Sequence, residues 1–255
     1  MTGRPTPLPG IYLVTDPGMS MVRIGEPGSA DSTDRAWHHR AIDETVKLAV
    51  AAQQAGVATI QLRWKNVDAG YFLLLTREVS EALTAQSLDQ VTLPTGQQNM
   101  QIIINDRVDV FCAAREEGLR VDGIHIGQTD LPPTHARALA GPAAQIGWSA
   151  STPTELKRAR QMADSIDCLG VGVLRNTSTK TDAPDALGVS GIDEIAAAEH
   201  FPIIAIGGIT ASDIPAIAAS HIHSAAVVSA IVAADNPGAA ARELVELWNS
   251  AKETP

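Results

Sequence analysis

Aromatic residues are scarce in this 255-residue chain, at 4% of a sequence that is 45% hydrophobic. A core of any size must therefore be aliphatic, which suits parallel strands buried on both faces and covered by Ala-rich helices. Cysteine is nearly absent. Cys112 and Cys168 both sit in apolar runs, away from metal-ligand spacing, and read as buried free thiols in a reducing compartment. Positive charge is also short: 19 Lys and Arg against 29 Asp and Glu leave a net charge of −10. That excludes a broad polyanion-binding surface, so no nucleic-acid partner is expected. Any anion must be held by a local cluster of cations and backbone donors. Long hydrophobic runs are missing too. The most apolar helical stretch, "VKLAVAAQQAGVA", is broken by Gln53 and Gln54 and is too short to span a bilayer. The first ten residues, "MTGRPTPLPG", lack the apolar core of a signal peptide. No membrane partner and a cytoplasmic location are expected.

What the chain does have is rhythm. Short apolar runs recur at 11–16, 59–63, 101–106, 123–127, 145–149, 168–174, 202–208 and 225–230. Amphipathic stretches follow them, at 40–55, 70–86, 107–117, 134–140, 152–163, 189–199, 210–219 and 236–250. Eight strand-then-helix units in a chain of this length predict an α/β fold, a single-domain (β/α)8 TIM barrel over 1–255. An open doubly wound sheet is the runner-up, but no Gly-x-Gly-x-x-Gly follows the first run. Two connections exceed ordinary length: 17–39, read as a long loop at the C-terminal mouth and a candidate lid, and 87–100, read as an insertion on the opposite face.

In a barrel, chemistry gathers where the strands end. The second run ends Gln61-Leu62-Arg63-Trp64-Lys65, in which Gln61, Arg63 and Lys65 alternate and so share one face. Two cations facing inward are costly unless an anion meets them; the alternative is that the strand has ended and Lys65 is solvated. The third run ends in Asn105 and Asp106, and Asp130 lies just past the fourth. Coming from adjacent units, the two carboxylates suit a hard cation such as Mg²⁺ completed by substrate phosphate, although either Asp alone also suits a helix cap. His125 is expected to face the core or pack beneath this pair. Ser149 ends the fifth run, while Ser151, Thr152 and Pro153 read as a helix start. After the seventh run come Gly207 and Gly208, with Thr210 and Asp213 at capping-box spacing; the eighth ends in Val228 and Ser229. Backbone N–H groups of these two loops read as a phosphate site, with glycine letting the phosphate approach the backbone. Between the two groups lies the hydroxyl-rich stretch Thr177-Ser178-Thr179-Lys180. Two anion sites around one mouth imply two small phosphorylated substrates.

Taken in order, "YLVTD", "QLRWK", "IINDRVDV", "DGIHIGQTDLP", "IGWSA", "TSTKTDAP", "AIGGIT" and "VVSAI" resemble the thiamine phosphate synthase family along nearly the whole chain. The resemblance implies a transferase that condenses 4-amino-2-methyl-5-(diphosphooxymethyl)pyrimidine with a thiazole phosphate, or its carboxylated form, releasing pyrophosphate. It implies Mg²⁺ as cofactor, held by Asp106 and Asp130. The pyrimidine diphosphate would fall to Gln61, Leu62, Arg63, Trp64, Lys65, Asn105, Ser149 and Lys180. Of these, Arg63, Lys65, Ser149 and Lys180 would act in catalysis. The thiazole phosphate would fall to Thr177, Ser178, Thr179, Gly208, Val228 and Ser229. Homo-oligomerisation is left open. The chain departs from the family pattern in four places, one being a loop at 17–39 longer than the family needs. Trp64 stands where an acidic residue is usual, and is expected to face outward. Val173-Leu174-Arg175-Asn176 replaces a Pro–aliphatic–aromatic–Pro pattern, and Arg175 is expected to be nearly dispensable. His221-Ile222-His223-Ser224 replaces a glycine-rich turn. The rivals are a thiazole tautomerase-like isomerase, which needs no diphosphate clamp, and a non-enzymatic phosphate-binding barrel.

Overall fold

A computed structural model describes residues 6–29, 34–87, 99–175 and 186–253. Eight parallel strands close on themselves in sequence order. They are β1 (Gly10–Val14), β2 (Thr59–Leu62), β3 (Gln101–Asn105), β4 (Gly123–Ile126), β5 (Gln145–Ser149), β6 (Cys168–Gly172), β7 (Ile203–Ile206) and β8 (Ser224–Val227). Closure is made by β1 on β8, with Gly10 opposite Ser224 and Leu13 opposite Val227. The sequence-read runs at 11–16, 168–174 and 202–208 overshoot their strands, because the apolar pattern continues into loops that remain buried, as Val173, Leu174 and Ile209 do.

Alternation along the strands sorts side chains into two layers. Tyr12, Val14, Ile103, Cys168, Ile204 and Ala226 pack together inside the barrel. Ile11, Leu13, Ile60, Leu62, Ile102 and Ile104 turn outward into the larger aliphatic layer beneath the helices. Both faces of each strand are thereby removed from water, which is why the runs read as continuous apolar stretches. The interior also admits one large polar ring: a Cβ at Gly147 would lie 2.5 Å from His125 Nδ1, and one at Gly170 2.8 Å from His125 Cε1. Two glycines thus make the slot that holds His125.

The helices are α1 (Pro17–Arg23), α2 (Arg35–Gln54), α3 (Ala69–Ser87), α4 (Val108–Glu116), α5 (Pro133–Ala140), α6 (Pro153–Gln161), α7 (Gly188–Ala198), α8 (Ile214–Ala218), α9 (Ser229–Val232) and α10 (Pro237–Glu253). The stretch 17–39 is therefore not one open loop. Asp16 caps α1 by accepting from Met19 N, and Pro17 occupies its first position. Met21 is buried, and α1 packs against α2 and α9. Asp34 caps α2 in the same way, so that helix starts earlier than the apolar pattern alone suggests. Trp37 Nε1 donates to Pro27 O at 2.8 Å, pinning the connection to α2. A seven-residue helix containing Gly18 and Ser20 has too short a periodic stretch to be read from sequence; its cap carries the signal instead. Most of the expected insertion 87–100 lies outside the described residues.

Both cysteines are free, but only Cys168 is buried, with burial pushing its thiol up to about 12. Cys112 is half-buried, because it sits on the flank of α4 rather than on its core face. The departure at 221–224 lies at the N-terminal end of β8. There His223 Nε2 lies 2.9 Å from Pro7 O, and Ser224 Oγ donates to Leu8 O at 2.9 Å. It is on the face opposite the C-terminal ends of the strands. Among the described residues, no helix is long and apolar enough to cross a membrane.

Candidate active site

Polar groups line the C-terminal mouth from unit to unit. Gln61 is buried and faces inward, donating through Nε2 to Asn105 Oδ1 at 2.8 Å. This fixes both amides across the β2–β3 boundary. Beyond Leu62 the strand ends, and the alternation does not carry through to Lys65. Arg63 turns to the β1 side, where its Nη1 meets Asp16 Oδ2 at 3.2 Å. Its backbone is clamped by Thr15, whose Oγ1 accepts from Arg63 N at 2.9 Å and donates to Arg63 O at 3.3 Å. Lys65 turns the other way and pairs with Asp106. The two cations therefore flank the mouth instead of sharing one face, each held by a carboxylate from a neighbouring unit. Leu62 and Trp64 point into the outer layer; Trp64 packs on Trp37 and His38, leaving only its backbone near the mouth. Its outward orientation is the one alternation predicts.

Asp106 adopts a left-handed backbone, φ +61°, immediately after β3. Asp tolerates this conformation better than most residues, yet a non-glycine residue there is uncommon. Its N–H donates to His125 O at 2.8 Å, so the strained turn is tied to β4. Asp130 sits opposite, its Oδ2 accepting from Gly127 N at 2.7 Å. Burial, with the facing Asp106 carboxyl, holds the Asp130 carboxyl above its usual range, and the Gly127 N–H and, less, Lys65 only partly offset this. Two facing carboxyls, with the Lys65 cation already drawn to one of them, form a donor set that suits a hard divalent ion. Among the described residues there is no cluster of three or more His, Cys, Asp or Glu fit for a metal.

Ser149 ends β5 half-buried, with its Oγ 3.0 Å from His125 Nε2. His125 lies beneath the mouth, as expected, and orients that hydroxyl. Gln128, which sequence reasoning missed, donates through Nε2 to Ser149 O at 2.5 Å and accepts from Arg158 Nη1 at 3.1 Å. Thr15 and Asp16 were also missed as site residues, although "VTD" at the end of the first run is the signal that could have found them. Thr152 and Glu155 complete a capping box, so the hydroxyls after β5 are a helix start, as read.

On the far side of the mouth, Gly207 and Gly208 take φ values of +103° and +71°. Val228 and Ser229 stand at the start of the short helix α9, beside them in the barrel order. Glycine at 208 has a local reason beside the phosphate approach read from the sequence. A Cβ there would lie 2.5 Å from Arg175 Cγ, so the backbone conformation and a neighbouring side chain already demand it. Arg175 is not the loose charge that its position suggested: Nη1 donates to Gly208 O and to Asp213 Oδ2, each at 2.6 Å, and Nη2 to Asp213 Oδ1 at 2.7 Å. Asp213 also accepts from Thr210 N and Oγ1, both at 2.8 Å, completing the expected capping box. Thr177, Ser178, Thr179 and Lys180 lie outside the described residues.

The Arg175 guanidinium is the main cause that lowers the Asp213 carboxyl to about 2; Thr210 adds to it and burial opposes it. An acid held below its ordinary value of about 3.9 adds stability that is complete above about pH 4 and disappears as the folded-state value is approached. Arg175→Met is therefore expected to lose stability at pH 6 but to show a shallower fall in Tm than the parent between about pH 4 and pH 2. Parallel acid-side slopes in a thermal-melt series would count against the pair.

A closed eight-stranded barrel with two cations, two opposed carboxylates and a glycine turn at its C-terminal mouth defines an anion-handling (β/α)8 enzyme. The family model described as thiamine monophosphate synthase matches residues 33–231. The chain is 33% identical to the thiamine-phosphate synthase of Corynebacterium efficiens over 207 residues, covering 81% of this chain and 90% of that one. It is 37% identical to that of Vibrio parahaemolyticus over 196 residues, covering 77% and 87%. Its fold matches the solved thiamine phosphate pyrophosphorylase from Pyrococcus furiosus with a TM-score of 0.71 at 23% identity, over 95% of this chain and 96% of the other. The chain belongs to the thiamine monophosphate synthase family. It is a transferase whose activity is the synthesis of thiamine phosphate.

Proposed function

We propose that the mouth joins a pyrimidine methyl diphosphate to a thiazole phosphate by a Mg²⁺-assisted, dissociative path, with the diphosphate on the β2–β4 side and the monophosphate on the β7–β8 side. The observation that carries this reading is the opposed pair Asp106 and Asp130 with Lys65 drawn onto it and Arg63 alongside, separated by the barrel mouth from the Gly207–Gly208 turn. Asp106 and Asp130 would hold the ion. Once bound there, it would neutralise charge on the departing pyrophosphate. Lys65, displaced from Asp106, and Arg63 are then placed to meet the same oxygens, where interactions that strengthen as charge develops lower the barrier. Lys180 is proposed as a further cation on that group.

Bond accounting is simple. The methylene–oxygen bond breaks with its electron pair leaving on pyrophosphate, and the aminopyrimidine spreads the positive charge left behind. The thiazole nitrogen then supplies the pair for the new C–N bond. That nitrogen carries no proton, so no general base is needed, and the His125–Ser149 pair serves to orient a hydroxyl beside the methylene. Gln61 and Asn105, fixed by each other, would set the pyrimidine ring. Thr177, Ser178, Thr179, Gly208, Val228 and Ser229 are the proposed surroundings of the monophosphate. The partners are small phosphorylated molecules.

The test is pyrophosphate release from the purified protein. Release is expected only when pyrimidine diphosphate, thiazole phosphate and Mg²⁺ are all supplied, in step with thiamine phosphate formed. Turnover undiminished by exhaustive chelation would remove the metal from the reading. Isomerisation of a thiazole phosphate alone, with no pyrophosphate released, would favour the tautomerase-like alternative.

A further inference from the structure

Three hydrogen bonds leave one side chain for one turn: Arg175, from the end of β6, reaches Gly208 O once and the Asp213 carboxylate twice. The backbone runs the same way, Leu174 N donating to Ile206 O at 3.0 Å and Arg175 N to Gly207 O at 3.1 Å. The same segment also crowds the turn through Val173, since a Cβ at Gly207 would lie 2.6 Å from Val173 Cγ1. Val173 and Arg175, two of the positions in 173–176 that depart from the family pattern, here form a brace over the glycine turn.

We propose that Arg175 is a positioning residue for the thiazole phosphate, holding the Gly207–Thr210 turn in its binding geometry; this rests on the proposed placement of the monophosphate at that turn. The peptide unit is planar, so fixing the direction of Gly208 O fixes that of the Ile209 N–H in the same plane. Glycines at positive φ have wide backbone freedom, which the guanidinium fork removes before any ligand arrives. Asp213 is the anchor: Thr210 holds it at the start of the turn that leads into α8. Both arms of the fork that face the turn are used in the brace, so Arg175 acts on the phosphate through the loop.

The fork matters more than the charge. Arg175→Lys keeps a cation but cannot span two carboxylate oxygens and a carbonyl together. Steady-state kinetics on the intact chain should therefore give Arg175→Met and Arg175→Lys a similar rise in KM for thiazole phosphate, about tenfold, as expected for losing a preorganised turn. The KM for pyrimidine diphosphate and kcat at saturation should stay near the parent values. A general loss of folded protein would lower kcat and leave both KM values alone, so the split separates positioning from stability. Ser229→Asp provides the companion measurement. It sets a carboxylate at the proposed phosphate position, at a helix start that tolerates acid, and should raise the same KM. A raised KM in Ser229→Asp with unchanged KM in both Arg175 variants overturns the brace while the phosphate site stands. Parent-like KM in all three overturns the placement of the phosphate itself. Full recovery by Arg175→Lys also overturns the brace, because charge alone would then suffice.

Discussion

Asp106→Asn is expected to lower kcat about 10²–10³-fold, the range seen when one preorganised electrostatic group is lost from a transition state. Asp130→Asn should fall in the same range, because neither oxygen set alone would hold a hard cation well. The basis is geometric: the two carboxyls stand on adjacent units and face one another, and the Asp106 carboxyl helps hold that of Asp130 above its usual range. The change to amide preserves shape. For Asp106 this matters, since Asn is among the non-glycine residues that best accept the φ of +61° found there. The KM for thiazole phosphate should be nearly unchanged, because its proposed site lies across the barrel. Raising Mg²⁺ should recover part of the lost activity in either variant. Parent-like turnover of both variants in trace Mg²⁺ would rule out these residues as the ion's ligands.

Arg63→Met should cost a similar factor, again about 10²–10³-fold in kcat, with a smaller rise in KM for the pyrimidine diphosphate. A cation that meets charge developing on the leaving group contributes more to the transition state than to the bound substrate. Met keeps much of the aliphatic stem and deletes the guanidinium. The backbone clamp by Thr15 survives the change, as does the cap that Asp16 provides for α1, so folding should hold. Single-turnover rates and diphosphate affinity would separate the two effects. If affinity and rate fell equally, Arg63 would be a binding residue with no preference for the transition state.

Much of the mouth was legible because its logic is local. Polar residues or glycines at the ends of apolar runs, as in Asn105-Asp106 and Gly207-Gly208, follow from strand termination, which composition and spacing reveal. Caps are equally local: Thr152 with Glu155, and Thr210 with Asp213, act within three residues. Arg175 with Asp213 is different. The two are 38 residues apart, and they meet only because β6 and β7 lie side by side with Gly172 opposite Ile206. No propensity marks that pair, so an arginine in a broken pattern looked idle.

The sequence by itself determined the barrel and most of the described side chains gathered at its C-terminal mouth. Strand alternation, helix periodicity and caps are properties of a few consecutive residues. The tertiary structure decided which partner each side chain meets. It sent Arg63 to Asp16 and Lys65 to Asp106 on opposite sides of β2, seated His125 between Gly147 and Gly170, folded 17–23 into a packed helix, and left Cys112 half-buried on a helix flank. Those outcomes depend on register and closure between distant strands. Closure brings residues from separate units within hydrogen-bond reach, and that distance is written nowhere in the order of the chain.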